Sequence, residues 1–153
     1  MKQKHEQMLM EALTALNTMN IHNDNIMIVG SIALDICGLF PEYRNVAHDV
    51  DLVIKAEEHE RKRIIELIRM LNKINQVDGK DLHVSSESSC YVLKLKNVVL
   101  NIWFYLPSDT FNTDIKLGNG VWVERPIDCI NKKKIYNRQK DSRDITAIVK
   151  QIL

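Results

Sequence analysis

Ile26-Met27-Ile28-Val29-Gly30-Ser31, followed later by Asp49-Val50-Asp51-Leu52-Val53-Ile54, decides how this chain is read. The first run is a short apolar strand that stops at a Gly-Ser pair, after which Ile32-Ala33-Leu34-Asp35-Ile36 resumes with helical character. Ser31 is placed to cap that helix, and Gly38 to end it. The second run predicts a strand. Side chains two apart on a strand point the same way, so Asp49 and Asp51 share a face. They lead directly into the aliphatic Leu52-Val53-Ile54, and carboxylates entering a core need a partner for their charge.

Two same-face carboxylates can hold one hard cation between them. Gly30 lets backbone approach a ligand closely, and the Ser31 hydroxyl beside free N–H groups suits phosphate. A Gly-Ser turn alone is usually just a turn, and Asp-x-Asp alone is often a solvated strand face. Their combination favours metal-assisted handling of a nucleoside triphosphate.

Outward from this segment, Gln3–Met19 sets Leu9, Leu13 and Leu16 at amphipathic-helix spacing. Leu39–His48 reads as a loop, and Glu57–Lys73 as a helix with an Ile64, Ile65, Leu67, Ile68, Leu71 stripe. Gly79 marks a turn. Leu82–Ser86, Cys90–Leu95 and Val98–Tyr105 read as strands, the last two joined tightly through Lys96-Asn97. Pro107–Asn112 is a polar loop. Asp114–Leu117 and Val121–Glu124 flank Gly118-Asn119-Gly120, a hairpin signal. Pro126 suits a first helical position, and Ile127–Tyr136 and Asp141–Leu153 read as closing helices. The expectation is one α+β domain over residues 1–153, a mixed sheet flanked by helices with two C-terminal closing helices.

The chain has 153 residues, 45% hydrophobic and 27% charged, which suits one globular domain and excludes disordered, collagen-like and disulfide-scaffold classes. Such a length buries roughly two-thirds of its unfolded surface. The 20 acidic and 21 basic residues nearly cancel, which disfavours nucleic acid and anionic membrane as partners. Three scattered cysteines, an N-terminus interrupted by charges and apolar runs far below ~20 residues point to a reduced, cytoplasmic protein without a membrane span.

Gly30-Ser31, a helix and loop, then Asp49-x-Asp51 with three aliphatics resemble the nucleotidyltransferase fold of the polymerase beta superfamily. The closer likeness is to small bacterial members: lincosamide and aminoglycoside nucleotidyltransferases, and the nucleotidyltransferase-like proteins of abortive-infection and toxin–antitoxin systems. Gly30 to Leu39, as Gly-Ser-x-Ala-Leu-Asp-x-x-Gly-Leu, is similar to the latter groups. Arg138 to Asp144 resembles their Arg-x-Lys-Asp-x-x-Asp closing-helix motif. The resemblance implies that Gly30 and Ser31 contact the triphosphate, that Asp49 and Asp51 ligate Mg²⁺, and that Lys140 faces the phosphates. It also implies a third carboxylate on an adjacent strand, assisting deprotonation of an acceptor hydroxyl. That position is Asn101, which can offer a carbonyl oxygen but cannot act as a base.

Two readings follow. In one, Mg-NTP binding is joined to nucleotidyl transfer onto a small-molecule or protein hydroxyl. In the other, a catalytically degenerate member acts as a binding or toxin–antitoxin component, consistent with a length that leaves little room for an acceptor domain. Glu87, Asp109 and Asp114 are substitutes for the missing carboxylate by proximity in sequence only. His48 reads as an exposed loop end and Trp103 and Trp122 as core. Lys132-Lys133-Lys134 reads as a solvated face, and Asp141 and Asp144 as local partners at a helix N-terminus.

Overall fold

The computed structural model describes residues 1–75 and 90–153, and residues 83–84 by their backbone. The turn at Gly79, most of the Leu82–Ser86 strand and Glu87 lie outside the described residues. The elements are α1 (Gln3–Thr18), β1 (Ile26–Val29), α2 (Gly30–Ile36), β2 (Asp49–Lys55), α3 (Glu58–Ile74), β3 (His83–Val84), β4 (Cys90–Lys94), β5 (Val99–Tyr105), β6 (Ile115–Lys116), β7 (Trp122–Val123), α4 (Pro126–Tyr136) and α5 (Gln139–Ile152). No helix among the described residues is long and apolar enough to cross a membrane.

The described strands form one mixed sheet in the order β3-β4-β5-β2-β1-β7-β6. Strand β2 lies antiparallel to β1 and parallel to β5, while β7 runs parallel to β1. Alternation along the strands separates two faces. Ile28, Leu52, Ile54, Leu100 and Ile102 point into the main core, where they meet Leu13 and Leu16 of α1 and Ile64 and Ile68 of α3. The other face carries Met27, Val29 and Val53, covered by Phe111 and the half-buried Trp103 and Trp122. No helical layer of the main core covers that second face, and Asp49 and Asp51 belong to it by their spacing from Val53. A separate small cluster packs Cys129 and Ile130 of α4 and Ile148 of α5 on Leu34 of α2.

The local signals act as their chemistry predicts. Gly38, at φ 74°, follows α2 in the left-handed region and the Leu39 N–H returns to the Leu34 carbonyl at 2.8 Å. Pro126 occupies the start of α4. The hairpin closes with the Leu117 N–H donating to the Val121 carbonyl at 2.8 Å. The connection between α2 and β2 is fastened by buried His5: its Nδ1 meets Asp35 Oδ2 at 2.7 Å, and its Nε2 accepts the Ala47 N–H at 2.8 Å. An accepting Nε2 leaves the proton on Nδ1.

Buried Asn72 of α3 completes the backbone pairing of β4. Its amide donates to the Val92 carbonyl at 2.9 Å, and its carbonyl accepts the Lys94 N–H at 3.0 Å. Asn72→Leu keeps the volume and orphans both groups, so urea unfolding should show a loss of about 1–3 kcal/mol. Unchanged stability would mean that water replaces the side chain.

Candidate functional site

The heads of β2 and β5 bring three predicted residues together. Parallel pairing sets Asp51 opposite Asn101, and the Asn101 amide nitrogen donates to Asp49 Oδ2 at 3.0 Å and to Asp51 Oδ1 at 2.9 Å. Both carboxylates therefore converge on one point, now filled by a neutral donor. Burial pushes the Asp51 carboxyl above the usual carboxylate range, and the charge of Asp49 adds to the rise, while the Asn101 hydrogen bond, Lys140 and Lys133 oppose it.

On the other side of β2, Val29 pairs with Asp51, which brings Gly30 against the carboxylate. Gly30 adopts φ 67°, and a Cβ there would lie 2.8 Å from Asp51 Oδ2. Glycine is required twice over, by conformation and by space. Ser31, expected to cap α2, does not do so. Val29 holds the cap position, and Ser31 sits in the first turn with its Oγ accepting a hydrogen bond from Arg44 at 3.0 Å. Because the helix begins at Gly30, the hydroxyl is released from the backbone.

The Gly30 N–H donates to Oε1 of buried Glu124 at 3.2 Å, and the other Glu124 oxygen pairs with Lys132. Burial alone would lower the Lys132 ammonium, but the charge and hydrogen bond of Glu124 hold it above its usual value. Glu124 was missed from sequence; it reaches the site because β7 runs parallel to β1, with Val123 beside Ile28.

The closing helices correct two further expectations. Lys133 is not on a solvated face: it is buried, 2.9 Å from Asp144 Oδ2 and 3.9 Å from Asp141 Oδ1. Asp144 is not a local partner either. Fully buried, it receives Lys133, the Tyr43 hydroxyl and, at 3.4 Å, Arg44 from the loop before β2. Burial and the bond to Asp144 push the Tyr43 hydroxyl up to about 12. Asp141 behaves as expected, accepting the Arg138 backbone N–H at 3.1 Å and its Nε at 2.7 Å. Burial would raise Asp141, but Arg138 and Lys133 outweigh it and hold the carboxyl below its usual range.

A cavity of about 430 Å³ joins these parts, walled by Gly30, Ser31, Asp51, Glu124, Lys132, Lys133, Arg138 and Lys140, with Trp103, Tyr105 and Tyr136 on its aromatic side. Gly30, Ser31, Asp51 and Lys140 of the expected set line it; Asp49 and Asn101 join through Asp51. Trp103 thus serves the cavity wall as well as packing. Asp109 instead binds the Leu106 N–H in an exposed loop, Asp114 is exposed, and His48 is exposed as expected. Among the described residues, Glu57, His59 and Glu60 also bring ligand atoms within 4.8 Å, but the Glu57–His59 pair is solvated, so little selects a metal there.

No family model matches the chain, and no curated protein matches its sequence. Among solved structures the chain is similar to an antigenic nucleotidyltransferase-like protein from Paracoccidioides brasiliensis, with 22% identity, 97% of this chain and 76% of that one covered, and a TM-score of 0.46.

Two measurements probe the geometry. Gly30→Ala forces a left-handed alanine, costing about 1–2 kcal/mol before the Asp51 contact is counted, so chemical denaturation should show at least that loss. Asp51 is the opposite case. Its raised value means that its contribution to stability is present below the usual carboxylate range and lost as pH rises through that raised value. Without divalent cations at neutral pH, Asp51→Asn should therefore raise Tm, by roughly 2–4 °C per kcal/mol relieved. A lower Tm would show that the ionised pair is not strained. Asp141 has the reverse sign, its stabilisation lost only as pH falls through its lowered value.

Proposed function

We propose that this chain binds a Mg²⁺-complexed nucleoside triphosphate and transfers its nucleotidyl group to a hydroxyl of a small molecule or partner protein. The observation that carries this reading is the convergence of Asp49 and Asp51 beside the Gly30-Ser31 turn, faced across one cavity by Lys133, Arg138 and Lys140. Mg²⁺ takes one or two carboxylates together with phosphate oxygens and water, and the two aspartates fit that demand. Asp51 is desolvated beside the like charge of Asp49, and both are held by an amide whose carbonyl oxygen would serve the same point if the group turned over. Bound there, Mg²⁺ would supply charge neutralisation for the phosphates.

The chain's own residues account for the remaining tasks. Lys140 and Lys133 offer positive charge to a polyanion, with Lys133 fixed from behind by Asp144. Arg44 orients the Ser31 hydroxyl. The small-molecule or protein acceptor follows from the nearly balanced charge, and a reducing cytoplasm suits the free thiols of Cys37, Cys90 and Cys129. Asn101 favours a second reading, binding without turnover as in a toxin–antitoxin component. It holds both aspartates but cannot accept the acceptor's proton.

Isothermal titration with ATP, CTP, GTP and UTP tests the shared part. Binding should require Mg²⁺ and weaken at least about tenfold in Asp49→Asn and Asp51→Asn, a loss of about 1.4 kcal/mol. No binding by any nucleotide, or binding indifferent to both substitutions, refutes the site. Labelled nucleotide then separates the readings. Transfer by the unaltered chain that Asp51→Ala abolishes supports the enzyme, and transfer gained only with Asn101→Asp supports the binding protein.

A further inference from the structure

We infer that the elbow between α4 and α5 is a stacking subsite for the nucleotide's base, made by the Tyr136 ring and the Arg138 guanidinium. The inference rests on the nucleotide reading above and specifies where the other end of that ligand lies. Tyr136 ends α4 and Asn137 takes the left-handed conformation, φ 48° and ψ 38°, so the chain folds back sharply. The fold-back sets the Arg138 guanidinium 5.3 Å from the centre of the Tyr136 ring.

The guanidinium is not loosely placed. Arg138 gives Asp141 a two-pronged contact, Nε at 2.7 Å and Nη2 at 3.1 Å, and Asp141 is fully buried. A guanidinium gripped this way loses little further freedom when a ligand arrives. Tyr136 nevertheless remains 61% exposed while forming part of the cavity wall. The other rings on that wall are half-buried and committed to the sheet, Trp103 and Tyr105 against the cluster around Val53 and Phe111 and Phe104 against the main core. Tyr136 is therefore the ring with a face to offer.

The cavity wall then carries two chemically distinct sets of groups. Lys133 and Lys140 stand with Asp51 where a polyanion and its cation belong, and the Tyr136–Arg138 pair presents π and cationic surface two residues before Lys140. A ligand with phosphates at one end and a flat heterocycle at the other satisfies both. Stacking tolerates any base, so the subsite accepts all four nucleotides and favours the larger purines.

Inorganic triphosphate, which has no base, provides the test. With Mg²⁺ present, Tyr136→Ala should weaken ATP by roughly 5- to 150-fold, the range for one aromatic–base stack, while leaving triphosphate affinity unchanged. Tyr136→Trp should retain ATP binding, and the exposed position should leave Tm unaltered in both variants. Equal weakening of ATP and triphosphate, or no weakening of either, overturns the subsite while leaving the nucleotide reading intact. If the unaltered chain binds neither probe, the nucleotide reading fails and the subsite falls with it.

Discussion

Strand β2 is hydrogen-bonded along both edges, to β1 and to β5, and apart from Asp51 it is buried from Val50 through Ile54. Its register is fixed on both sides by aliphatic pairs such as Ile28 with Leu52 and Leu52 with Ile102. A slip of one residue would turn the aliphatic set out of the core and Asp51 into it. Much of the candidate site follows from this constraint. Asp51 must face Asn101 across one edge and stand beside the end of β1 across the other. The residue after Val29 then meets a carboxylate at van der Waals range and must be glycine.

Charge on the second face is handled in two different ways. Around Asp144 and Asp141 it is neutralised by cations from three segments, Arg44, Lys133 and Arg138, and no buried side-chain polar atom among the described residues lacks a partner. Breaking one member of such a group leaves the others uncompensated, which makes the network a rigid tie between the loop before β2 and the closing helices. Around Asp49 and Asp51 the balance is incomplete. One neutral amide serves two carboxylates, and burial works against the charge of Asp51. The fold thus satisfies one carboxylate group fully and leaves the other short of positive charge, and that contrast is what the proposed cation reading builds on.

The sequence already disclosed the parts of this arrangement that depend on local pattern. Period-two spacing places Asp49 and Asp51 on one face, the aliphatic triplet marks a buried strand, and Pro126 and Gly38 mark helix ends. Glu124 and Lys133 were invisible for different reasons. Glu124 joins Gly30 only through a parallel pairing between segments about ninety residues apart, and no local pattern encodes which strands pair in parallel. Lys133 lies one helical turn after Cys129 on the buried face of α4. In a run of three lysines that spacing was overshadowed by composition, although it is the signal that could have found it. Ser31 is no cap because the helix starts at Gly30 rather than Ile32, which moves Ser31 two positions, from the cap to the second helical residue.

Asn101 bears most directly on what this site can do. A third carboxylate at that position would place three anions around one point, and without a cation the cost of desolvating them would fall on the fold. An asparagine presents two donors to the same two aspartates, so the heads of β2 and β5 hold together with or without metal. The same residue type offers no proton acceptor beside Asp49 and Asp51. Stability of the metal-free state and power to deprotonate a hydroxyl thus pull in opposite directions at one residue, and this chain has the residue that favours the former. The geometry of the neighbouring groups is spared, because Lys133, Ser31 and the two aspartates are kept in place by contacts or strand register that do not require charge at position 101.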